Sequence, residues 1–93
     1  MYNGYTNYET WVVCLWLHNE YNSQKHYEER TEHLLDYTNG DKMEAKYLLA
    51  NEIKEEFFSL TPYLSKASVW SDLISHAIEM VNWTEVAESF IES

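Results

Sequence analysis

The chain has 93 residues, with sixteen Asp and Glu against six Lys and Arg, for a formal net charge of −10. That length fits one domain, and an apolar fraction of 45% with 16% aromatics excludes disorder. The charge argues against direct binding to DNA, RNA or anionic membranes and favours partners that normally hold them.

Thr6-Asn7-Tyr8-Glu9 reads as a capping box, with the Thr6 hydroxyl and the Glu9 carboxylate satisfying exposed amides. The helix it opens runs to about His18. It is apolar nearly all round, which predicts a central, heavily buried helix. Cys14 lies within it, flanked by Val13 and Leu15, and reads as a buried small hydrophobe with no partner for an internal disulfide. The apolar run from Trp11 to Leu17 is far shorter than the roughly 20 residues needed to span a bilayer. No basic start with a long apolar stretch suggests a signal peptide. A cytoplasmic protein is expected.

A second helix is expected from near Ser23 to Thr38, before the turn signal Asn39-Gly40, with Tyr27, Thr31, Leu34, Leu35 and Thr38 on its inner face. Asp41 should cap a third, running to about Phe58, with Leu49, Ala50, Ile53 and Phe57 inward. Pro62 falls in the following connection. The fourth helix, about Lys66 to Val81, has the cleanest pattern: Val69, Trp70, Leu73, Ile74, Ala77, Ile78 and Val81 form its inner stripe. Asn82-Trp83-Thr84-Glu85 starts a short fifth helix with Trp83, Val86, Ala87, Phe90 and Ile91 inward. The fold class is therefore all-α, a compact single-domain bundle of about five helices over residues 1–93.

On those helices the acids sort into faces. Glu29, Glu32 and Asp36 follow i, i+3, i+7 on the second, and Glu85, Glu88 and Glu92 repeat the spacing on the last. Glu52, Glu55 and Glu56 group on the third, and Asp72 and Glu79 lie outward on the fourth. Carboxylates this close repel each other. Read plainly, they form a solvated surface. Read functionally, they imitate the phosphates of a duplex, which carries one charge per roughly 1.7 Å of axis.

No phosphate-binding loop, HExxH, CxxC or GxSxG is present, so no catalytic residue and no cofactor is assigned. His26, Glu29 and His33 share one side of the second helix, but zinc sites usually draw ligands from more than one element, so no metal is assigned either. The Tyr-rich start, with Tyr5 and Tyr8, lacks the basic groove of a single-strand binder and suits anchoring a protein contact.

The segment Tyr2-Asn3-Gly4-Tyr5-Thr6-Asn7-Tyr8-Glu9-Thr10-Trp11, continuing through Leu15-Trp16-Leu17-His18-Asn19-Glu20, resembles a family of small acidic proteins encoded mainly by phages, plasmids and other mobile elements. The blocks Ala67-Ser68-Val69-Trp70-Ser71-Asp72-Leu73 and Val81-Asn82-Trp83-Thr84-Glu85-Val86-Ala87 look like two further blocks of that family. The resemblance implies a mobile-element context inside a host cell, where small acidic proteins block restriction or CRISPR machinery. The expected function is non-enzymatic inhibition, as an anti-CRISPR or anti-restriction protein, of a host nucleic-acid-binding protein or nuclease complex. Its acidic faces would act as a DNA mimic, and reversing Glu85, Glu88 and Glu92 to Lys should abolish inhibition without unfolding. The alternative is a structural or adaptor module, as a homodimer or on another protein, using an aromatic patch.

Overall fold

The computed structural model describes residues 1–60 and 68–92. Among the described residues five helices make the all-α bundle expected from the periodicity: α1 (Tyr8–Asn19), α2 (Tyr21–Tyr37), α3 (Lys42–Leu60), α4 (Val69–Met80) and α5 (Trp83–Ile91). The expected position of Pro62 and the proposed start of the fourth helix at Lys66 lie outside the described residues.

The chain begins with a tight turn. Asn3 and Gly4 both take positive φ, 48° and 88°, and Tyr2 and Tyr5 exchange backbone hydrogen bonds of 2.7 and 2.8 Å. Asn-Gly is the pair that such a left-handed two-residue turn favours, because Gly pays no Cβ penalty there. The N-terminal tyrosines therefore sit on a folded-back loop. Tyr2, Tyr8 and Trp11 pack as a three-ring cluster with centroids 5.1–5.8 Å apart.

Asn7, and not Thr6, caps α1: its Oδ1 accepts from the Thr10 N–H at 2.9 Å and from the Thr10 hydroxyl at 2.6 Å. α2 starts two residues before the expected Ser23. The Glu20 carboxylate accepts from the amides of Asn22 and Ser23, and a bond from the Ser23 side chain, together with these two, holds its pKa below the usual carboxylate range. α2 ends in a Schellman arrangement, with Asn39 N–H donating to the Asp36 carbonyl and Gly40 N–H to that of Leu35. Asp41 caps α3 as predicted, accepting from Glu44 N–H at 3.1 Å. Ser68 and Ser71 form a reciprocal capping box on α4.

The central element is α5, not α1. Trp83, Val86, Ala87, Phe90 and Ile91 are all buried, and α5 packs on α3 most extensively and also on α1 and α2. α1 buries only Thr10, Cys14 and Leu17, and Trp16 is 68% exposed. A helix apolar all round gives no direction to its burial; the neighbours choose one side and leave the rest in water. The inner faces of α2 and α3 hold as expected, with Tyr27, Thr31, Leu34, Leu49, Ala50 and Ile53 buried, joined by Ala45. Leu35, Thr38 and Phe57 are half-buried.

α4 departs most from its pattern. Ile78 and Val81 are buried and Ile74 half-buried, but Val69, Trp70, Leu73 and Ala77 face solvent. Among the described residues α4 packs on α1 and α3 and accepts from the Trp83 indole of α5 at its Ile78 carbonyl, 3.2 Å away, and its apolar arc is wider than those contacts.

Candidate interaction surfaces

The acidic positions divide into those that hold the fold and those that stand free of it. Glu52 faces Arg30 across the α2–α3 seam, accepting from Nε at 3.1 Å and from Nη2 at 2.5 Å. That two-pronged bond raises the already high Arg30 pKa further. Glu56 accepts the Tyr27 hydroxyl at 2.8 Å and lies 3.5 Å from His26 Nε2. Burial first, then the Glu56 carboxylate, pushes the Tyr27 phenol well above its ordinary value. Glu52 and Glu56 thus work as ties between helices. Glu55 beside them is exposed.

Glu85 is also engaged. It stands at the third position of α5, and its two oxygens accept from the Thr6 N–H at 2.8 Å and the Thr6 hydroxyl at 3.0 Å. Thr6 was expected to pair with Glu9 in a local capping box; Glu85 takes that place from the other end of the chain. The surrounding bonds complete a clasp. Asn7 Nδ2 donates to the Met80 carbonyl at 2.6 Å, and Asn82 N–H donates to the Thr10 hydroxyl at 2.9 Å. Asn82 Oδ1 in turn caps α5 by accepting from Glu85 N–H. The motif residues Thr6, Asn7 and Thr10 therefore lock the junction of α4 and α5.

Free carboxylates remain on several faces. Glu29, Glu32 and Asp36 are exposed along α2, Asp72 and Glu79 along α4, and Glu92 at the end of α5. Among the described residues, the ion pairs are Arg30–Glu52, His26–Glu56 and Lys46–Glu88, so none of these six carboxylates is matched. Glu88 reaches Lys46 Nζ at 3.5 Å. Glu85, Glu88 and Glu92 line one groove with Asn3, Gly4 and Tyr5, which places Tyr5 beside the acidic stripe. Burial raises the phenol pKa of Tyr5, which packs against the core. Tyr8 is exposed and meets Tyr2 edge-on. A second groove, between α2 and α5, has Glu28 and Glu32 on its rim and Phe90 and Ile91 in its floor. Glu28 was missed from sequence, although its i, i+4 spacing to Glu32 marks it.

One constellation resembles a nucleophile and base. His18 Nε2 lies 2.8 Å from Ser89 Oγ, and Cys14 Sγ lies 3.9 Å from the same oxygen. The Ser89 hydroxyl, however, sits 2.5 Å from the Val86 carbonyl, which only accepts. Its hydrogen goes there, so His18 donates and is not placed as a base. His18 stacks on Phe90 at 4.0 Å, and desolvation lowers its pKa despite the nearby Glu28. Burial raises the Cys14 thiol, more than the bonds from Ser89 and Tyr5 lower it. This cluster holds α1 to α5. Of the three residues with metal-like spacing, His26 turns to Glu56, and among the described residues no group of three or more His, Cys, Asp or Glu is disposed to hold a metal ion.

Among the described residues no helix is long and apolar enough to cross a membrane. No protein-family model, curated protein or solved structure matches this chain.

Proposed function

We propose that the protein is a non-enzymatic inhibitor that binds a nucleic-acid-handling protein of a host defence system, of the anti-CRISPR or anti-restriction kind. Its exposed carboxylates occupy Arg and Lys that otherwise grip phosphates. The observation that carries this reading is the α2 stripe of Glu29, Glu32 and Asp36, exposed on a rigid helix and matched by no cation among the described residues. Glu92, and Glu28 with Glu32 at the α2–α5 groove, extend the same sign of charge around the central helix.

The engaged acids change the choice of test. Lys at position 85 would break two hydrogen bonds of the clasp, so loss of inhibition there reports on folding. Reversing Glu29, Glu32 and Asp36 to Lys leaves every described tie intact. The experiment is affinity capture from host lysate at low and high salt, followed by a DNA-binding assay on the recovered protein. A basic nuclease subunit recovered at low salt alone, whose DNA binding the native chain blocks and the folded triple variant does not, is the expected result. Full inhibition by that folded variant would remove the α2 face from the mechanism.

A second reading, an adaptor that docks through aromatic side chains, draws on the exposed Tyr2 and Tyr8, which pack against the half-buried Trp11. Tyr8→Ala separates the two: it weakens capture under the adaptor reading, whereas the α2 reversal leaves capture unchanged.

A further inference from the structure

The apolar pattern of α4 divides into two halves, and only one is used by the fold. Ile74, Ile78 and Val81 turn inward, while Val69, Trp70, Leu73, Ala77 and Met80 form a stripe along the outer side. Trp70 is 64% exposed, Leu73 57% and Met80 43%. Four of these, Val69, Leu73, Ala77 and Met80, fall at i, i+4, i+8 and i+11. That is the anchor spacing of a helix laid into a partner's groove, and Trp is the residue type most often found to dominate such contacts.

The charge around the stripe says what kind of groove. α4 contains no Lys or Arg, and Asp72 and Glu79 are exposed on the same helix. A second copy of this chain would bring the same acids, and a net −10, against this acidic rim. We infer that α4 is a docking helix for a protein surface with an apolar groove rimmed by Lys and Arg. This rests on the function proposed above in the sign of the partner's charge, and it adds where the apolar part of the grip lies. Carboxylates alone steer and select, while desolvated aromatic and aliphatic anchors set the dissociation rate.

A surface of that chemistry can be supplied directly. Three designed helical peptides of equal length serve as probes: Leu/Lys, with an apolar face and a basic rim; Leu/Glu, with the same face and an acidic rim; and Ser/Lys, with the charge and no apolar face. Fluorescence anisotropy with the full-length protein should show the Leu/Lys peptide binding at least tenfold more tightly than the other two. The double variant Trp70→Ser/Leu73→Ser should lose at least tenfold, with an unchanged circular dichroism spectrum. If that variant melts early, Ala77→Gln, which places a polar side chain in the middle of the stripe, takes its place. Asp72→Asn/Glu79→Gln should weaken binding several-fold and flatten its salt dependence. Equal binding of the Leu/Glu peptide, or Leu/Lys binding untouched by the stripe variants, would overturn the inference. So would a dimer in sedimentation that the stripe variants dissolve. None of these variants alters α2, so failure here and failure of the charge-reversal experiment are read separately.

Discussion

Thr10 has no exposed surface, and its hydroxyl serves two partners, donating to Asn7 and accepting from the backbone of Asn82. Thr10→Val keeps the shape and removes both bonds, leaving the Asn82 amide without its acceptor. That substitution should cost about 1–3 kcal/mol, read as a lower urea midpoint at unchanged slope. His18 gives a second residue-level expectation. Its pKa is depressed by burial in the folded chain and ordinary, near 6.5, when unfolded. Neutral His18 therefore contributes stability above about pH 6.5, and that contribution is lost as the pH falls towards the depressed folded value. His18→Gln should show a smaller drop in urea midpoint between pH 7.5 and 5.5 than the native chain. Identical drops would mean that other groups carry the acid sensitivity.

At the scale of elements, the sequence is legible where local chemistry decides the outcome. The Asp41 and Asn82 caps, the Asn39-Gly40 stop and the whole inner stripe of α5 follow from neighbours within a few residues. What could not be read depends on distant partners. Glu9 and Glu85 both suit Thr6, and only the fold brings the second, 79 positions away, into reach. Likewise, periodicity gives the width of the α4 apolar arc but not how much of it a neighbour covers. The acidic faces were located correctly as helix positions, yet Glu52, Glu56 and Glu85 proved to be tied inward by Arg30, Tyr27 and Thr6. The two halves of α4 should behave oppositely on substitution. Ile78→Ala should cost about 2–5 kcal/mol, as buried large-to-small changes do. Leu73→Ser should stay within about 0.5–1 kcal/mol. Chemical denaturation of the two variants side by side distinguishes them.

For the molecule as a whole, charge and connectivity pull in different directions. An excess of ten negative charges resists compaction, and little of it is relieved inside the bundle. What holds the described residues is a core organised around α5, which packs on α1, α2 and α3. A chain emerging from the ribosome therefore has nowhere to bury Leu17, Leu34 or Ile53 fully until residues 83–91 arrive. The bundle cannot close before α5 is made, and α1 waits for the residues at 80–85 that fasten it. Ending the chain after Val81 should then yield an uncooperative, protease-sensitive polypeptide and not a smaller bundle, which a thermal melt without a sigmoidal transition would register. A stop codon just before codon 83 would be as damaging as one before codon 20.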